Sequence, residues 1–196
     1  MAIVGIKHLQ VARYEAKKYT LAMMLADLID VDINIESNES KLYANDKIKE
    51  ASTSFKGGQI KMTVDDLVDK GSQFILGQKT KEVTVGDKKL NVLVSNRNDK
   101  APYVGIGFYS EVSRDNVTAY RAIVLLKNMF SIPKEKAKTR EDKTEYQTKE
   151  VNATIFANDD GEWKLEVTVD TEEEAVAFVE SILGTPGETV PANEGI

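Results

Sequence analysis

The sequence predicts a mainly β protein of short antiparallel strands with two flanking helices. Apolar and polar residues alternate in short runs along most of the chain, and Gly, Asn and Asp clusters separate these runs. Only two segments, near 66–76 and 172–183, combine helical spacing with start and stop signals. The 196 residues are enough for one substantial domain, taken as 1–184, followed by a tail at 185–196 that carries Pro186, Gly187, Pro191 and Gly195 and is expected to be flexible.

Residues 3–13 mix alternation at Val4 and Ile6 with a shifted pair, Leu9 and Val11, which suits a bulged strand or an extended arm. Residues 14–29 are ambiguous, because Leu21, Met24, Leu25 and Leu28 fall at helical spacing. Residues 31–36 alternate cleanly as a half-buried strand. Ser37-Asn38-Glu39-Ser40 reads as a turn, followed by a short strand through Leu42 and Tyr43, a second turn at Asn45-Asp46, and a strand over 48–55. Gly57-Gly58 reads as a break before Ile60, Met62 and Val64, which gives an antiparallel meander of three or four strands.

Asp65-Asp66 are expected to cap the first helix, with Leu67, Val68, Phe74 and Ile75 on its apolar face, Gly71 weakening its middle and Gly77 as its stop. Val83 and Val85, Gly86-Asp87 and the run 90–94 predict a hairpin. Strands are expected over 103–109 and 119–126, and a charged connection without apolar periodicity over 133–146. A hairpin is expected from 151–156 and 163–169 around Asn158-Asp159-Asp160-Gly161. Thr171 should cap the last helix, whose stripe is Ala175, Val176, Phe178, Val179, Ile182 and Leu183.

The absence of cysteine excludes disulfides, thiolate metal sites and cysteine nucleophiles, and the single histidine, His8, excludes multi-histidine sites. His8 stands in a strand with no fixed acid or nucleophile beside it and reads as a surface or satisfied residue. Gly105-Ile106-Gly107 lacks the third glycine and following helix of a dinucleotide loop, so close packing or a bulge is the better reading. Asn158-Asp159-Asp160-Gly161-Glu162 resembles part of a calcium loop but lacks the alternate-position ligands and terminal glutamate of an EF-hand. Asp-Gly is also ordinary hairpin chemistry. No carboxylate pair stands out as an acid–base dyad, and no cofactor or metal is expected. A formal charge of −6, from 26 basic and 32 acidic residues, gives no footprint for tight nucleic-acid binding. No apolar run approaches the roughly 20 residues of a membrane span. No signal-peptide pattern opens the chain, which is expected to start near residue 1 and to be made in a cytoplasm.

The mixed charge of 133–146 suits contact with another copy of the chain better than contact with a uniformly charged polymer. At this loop and its flanks the sequence resembles the major tail protein family of siphophages infecting Gram-positive bacteria. The similarity rests on residues 101–108, on 125–130 and above all on Lys138-Thr139-Arg140-Glu141-Asp142-Lys143-Thr144-Glu145-Tyr146-Gln147-Thr148, with weaker support at 3–7 and 42–46. The resemblance implies a non-enzymatic tail-tube subunit of the virion, with a tail-tube-type antiparallel β-sandwich or barrel-like core and an extended rather than helical 14–29. Such subunits form hexameric rings that stack around a tape-measure protein into a conduit for DNA, which passes without specific binding. A tail terminator and a distal tail protein are the implied partners at the two ends. By this resemblance the contacts between subunits or rings include Glu39, Lys41, Tyr43, Asp46, Lys138, Arg140, Glu141, Asp142, Lys143 and Tyr146. The alternatives are a β-sandwich adhesin or carbohydrate-binding module, and the tube protein of a tailocin-like device.

Overall fold

A computed structural model describes residues 2–44, 47–114, 117–135 and 148–187. The fold is mainly β and antiparallel with two short helices, as the alternation predicts. The strands are β1 (Ala2–Glu15), β2 (Lys18–Ala26), β3 (Leu28–Ala44), β4 (Lys47–Val64), β5 (Lys79–Val85), β6 (Lys88–Val94), β7 (Tyr103–Arg114), β8 (Val117–Phe130), β9 (Lys149–Phe156) and β10 (Lys164–Val169). The helices are α1 (Asp69–Leu76), between β4 and β5, and α2 (Glu172–Leu183), after β10.

The main sheet runs β2-β1-β7-β8-β9-β4-β3, and β10 also pairs with β8. The long strand β8 is the joint. Residues 120–125 pair with β10, residues 127–130 pair with β9, and β7 lies along its other edge. Sharing one strand folds the sheet over, so that β3-β4-β9 faces β1-β7-β8 across a core. Leu9, Val11, Val104, Ile106 and Leu125 project into it from one side, and Ile60, Met62, Val64, Val151 and Ile155 from the other. Phe74, Ile75 and Leu76 of α1 join the same core. On the opposite face of β1-β7-β8 a second core forms, where Ala12, Tyr109, Ala122, Val124 and Leu126 meet Ala175, Val179 and Leu183 of α2.

The two glycines of the 105–107 motif face α2. A Cβ on Gly105 would lie 2.5 Å from Leu183 Cδ2, and one on Gly107 would lie 2.4 Å from Val179 Cγ1. Helix and sheet approach too closely for any side chain there, which gives the motif its packing role. Thr171 caps α2 with a full capping box, its hydroxyl accepting from Glu174 N–H while the Glu174 carboxylate accepts from Thr171 N–H.

Residues 14–29, ambiguous by periodicity, are extended: β1 and β2 make a hairpin over Ala16 and Lys17, both at positive φ, and Leu21 is a further positive-φ bulge residue. That bulge moves the apolar positions out of phase and produces the helix-like spacing. Several other expectations are corrected. Asp65 and Asp66 do not cap α1. Its N-cap is Val68, without a side-chain bond, because Asp65 instead accepts from Asp27 N–H at 3.0 Å and Asp66 accepts from Leu67 N–H at 2.8 Å. Ser37–Ser40 is not a turn and Gly57-Gly58 is not a break. β3 and β4 run through both sites as one hairpin, with a register shift between Glu36 and Ser37. Gly58 permits close packing, since a Cβ there would lie 2.8 Å from Ile35 Cδ1 and 2.9 Å from the Asn34 carbonyl oxygen. The 151–156 and 163–169 segments are both strands, but they pair with different stretches of β8 rather than with each other.

Candidate assembly surfaces

The β3–β4 hairpin outgrows its sheet. β4 pairs with β9 only from Gly58 to Val64, whereas β3 and β4 stay paired from Leu28–Val64 out to Ala44–Lys47. Beyond Gly58 the two strands have no other strand beside them among the described residues, so they form a projecting two-stranded arm. Ser37, Asn38 and Glu39 face Phe55, Ser54 and Thr53 in register. Their polarity suits a ribbon wetted on both faces, and the same polarity imitates a turn in the sequence.

The base of the arm is fixed by an aromatic contact. Phe55 stacks on half-buried Trp163 with ring centroids 5.0 Å apart and planes 4° from parallel, and the Lys164 ammonium lies 5.4 Å from the indole centroid. Farther out, Lys41 pairs with Glu39 at 3.1 Å, with both side chains in water. These two expected contact residues come together on the arm. Tyr43 lies on β3 opposite Ile48. Asp46, Lys138, Arg140, Glu141, Asp142, Lys143 and Tyr146 lie outside the described residues, as does most of the charged 133–146 connection.

The roots of that connection are described. The chain leaves β8 after Phe130, where Ser131 N–H donates to the Asn152 carbonyl oxygen at 2.9 Å, and it re-enters β9 at Lys149, opposite Val64. Arm and connection therefore emerge from opposite ends of the β4–β9 ladder, the arm beyond the Gly58–Ile155 pair and the connection beside the Val64–Lys149 pair.

Several strand edges are open among the described residues. β2 pairs only with β1, β3 only with β4, and β10 only with β8. The first residues of β1 reach past β2 and expose Ile3 and Val4. The solvent face of β3 carries Asp30, Asp32 and Glu36. Across the sheet Lys61 is held by Glu150 at 3.0 Å, and Lys56 by Glu36 at 3.2 Å.

The chemical candidates resolve into packing and turn roles. His8 sits at φ 64° in the β1 bulge, 3.0 Å from Gln10 Oε1. Gln10 is fully buried and its amide donates to the Gly184 carbonyl at the end of α2. The Tyr109 hydroxyl donates to Glu172, which also pairs with Lys7 at 3.6 Å. Burial first and the Glu172 contact second push the Tyr109 phenol well above its ordinary range, while the Tyr109 hydrogen bond holds the Glu172 carboxyl below its own. In the 158–162 turn, Asn158 Oδ1 accepts from the N–H groups of Asp160 and Glu162. Asp159 holds Lys127 at 3.0 Å and Asp160 holds Lys17 at 2.7 Å, so both aspartates serve the fold as lysine partners. Among the described residues no group of three or more His, Asp or Glu is placed to hold a metal ion, and no helix is long and apolar enough to cross a membrane.

The surface that sequence reasoning missed is the continuous arm; the β5–β6 hairpin forms as Val83, Val85, Gly86-Asp87 and the 90–94 run predict, and it pairs with no other strand among the described residues. The chain matches no protein-family model and no curated protein, so the geometry of these surfaces carries the functional reading.

Proposed function

We propose that this protein is a non-enzymatic structural subunit that assembles with copies of itself, in the manner of a phage tail tube. The observation that carries this reading is the β3–β4 arm: a long ribbon with both edges open among the described residues, fixed at its base by the Phe55–Trp163 stack. Open edges on a monomer invite unwanted pairing and are normally blunted. A subunit that adds strands from a neighbour uses them instead. An arm that leaves one end of the β4–β9 ladder suits head-to-tail stacking, in which a heterologous contact repeats from copy to copy. The carboxylates on the solvent face of β3 fit a lumen wall past which DNA moves without being held, since retained phosphate contacts would resist passage. The same reading places the protein in a virion tail, with tape-measure, terminator and distal tail proteins as partners.

Negative-stain microscopy and sedimentation velocity of the concentrated protein test this. Rings or tubes are expected. A variant in which Asn-Gly replaces residues 39–53 should stay folded by circular dichroism yet remain monomeric. A wild-type chain that sediments only as a monomer at every concentration and shows no rings would sink the reading.

A further inference from the structure

The β5–β6 hairpin pairs with no other strand among the described residues. Every residue of β5 and the first five of β6 are exposed. Residues opposite one another in an antiparallel pair share a face. The pairs Val83–Leu90, Lys81–Val92 and Val85–Lys88 therefore put four aliphatic side chains on one face, with lysines around them. Val83, Val85, Leu90 and Val92 are 38%, 58%, 46% and 41% exposed. The other face carries Thr80, Glu82, Thr84, Lys89 and Asn91 with half-buried Leu93 at its root, and Lys89 and Glu82 pair at 2.8 Å. This is an amphipathic hairpin whose apolar side is bare. A two-stranded hairpin without a packed face is marginal in water, so this face calls for a partner.

We propose that the aliphatic face of β5–β6 docks on the outer face of α2 of a second copy of this chain. The choice of occupant rests on charge. The hairpin has four lysines against Glu82 and Asp87, on a chain that is otherwise strongly acidic. Lys79, Lys81 and Lys88 have no carboxylate within ion-pair distance among the described residues. Helix α2 carries Glu172, Glu173, Glu174 and Glu180, and no basic residue lies between 165 and 187. Its outward positions are Glu173, Ala177 and Ser181, all exposed, with half-buried Phe178 and Glu180 at the shoulders. Small residues at the centre of that face let a flat hairpin approach, and the glutamates flank it where the lysines would reach.

Within one copy the two surfaces are rooted apart. The hairpin leaves α1, which packs into the core on one face of β1-β7-β8, while α2 covers the opposite face. Two different patches meet in this contact, so repeated head to tail it propagates from copy to copy. Seven paired positions span about 24 Å at roughly 3.4 Å per residue. One such face is well below the ~800 Å² per partner of a stable standard interface, so the contact acts in concert with others. It rests on the self-assembly reading but names a surface that the reading does not require.

The cysteine-free chain makes a direct test possible. The full chain carrying Leu90→Cys and Ala177→Cys should form a ladder of disulfide-linked species under mild oxidation, at least tenfold more than either single variant. Adding Lys81→Glu and Lys88→Glu should abolish the ladder while circular dichroism stays unchanged. If the wild type builds rings or tubes but the double-cysteine chain gives no ladder, or only an internally linked monomer, the hairpin contact is wrong while self-assembly stands. Anionic phosphatidylserine vesicles that capture the wild type but not a Val83→Glu, Leu90→Glu variant would also overturn it, by giving the face a membrane occupant. A wild type that is monomeric at every concentration removes the assembly reading and this contact together.

Discussion

At the scale of single residues, backbone conformation explains what the sequence conceals. Ala16 and Lys17 make the two-residue turn of the β1–β2 hairpin with φ of 48° and 64°. Such turns normally announce themselves with Asn-Gly or Gly-Gly, because both central residues need positive φ. Neither residue does so here, and the hairpin stays hidden. An L-residue in that region costs about 1–2 kcal/mol, and glycine gives back part of that in unfolded-state entropy. Ala16→Gly should therefore stabilise the protein by about 0.5–1 kcal/mol, read as a higher urea midpoint with unchanged slope. A lower midpoint would mean that the turn conformation is wrong.

At the scale of elements, α2 is the part most completely legible in the sequence. Thr171 and the apolar spacing fix its start and its buried face; Thr171 caps it as expected, and Glu174 completes a capping box. Thr171→Ala should destabilise by about 1 kcal/mol, measured by urea unfolding, with Thr171→Ser recovering most of the loss. Helix α1 was legible only in part. Gly77 ends it in the left-handed conformation at φ 70°, as expected of a glycine stop. Of the two aspartates before it, Asp65 is drawn to Asp27, a tertiary contact that no local pattern reports, and Asp66 accepts from its neighbour Leu67. The β5–β6 hairpin was readable because Gly86-Asp87 carries proper turn chemistry. The arm was not, because the polar runs Ser37–Ser40 and Ser52–Ser54 and the Gly57-Gly58 pair look like turns and breaks in a sequence.

At the scale of the molecule, alternation gave the fold class, but the sharing of β8 between two pairing partners could not be read, since it depends on which edge each later strand meets. The same limit applies to the expected contact residues. Glu39 and Lys41 fall on the arm, yet nothing in their local pattern says that the arm projects. Its orientation depends on a distant contact, Phe55 on Trp163, and the protein's single tryptophan reports it. Phe55→Ala should shift tryptophan emission several nanometres to the red and lower its quench protection, while the melting temperature of the core moves by only a few degrees. Emission unchanged from wild type would show that the ring stack does not hold the arm in solution.

The opposed exits of the arm and the 131–148 connection have a mechanical consequence. A pull applied between them passes along β4 and β9, whose ladder from Gly58–Ile155 to Val64–Lys149 holds seven registered pairs. Strands loaded from opposite ends of their overlap are sheared, so the hydrogen bonds bear the load together. Strands pulled apart at the same end would unzip one bond at a time. The protein is therefore stiff and strong along the line joining the base of the arm to the start of β9, and weaker across it. A chain of such subunits would behave as a rope that bends before it stretches.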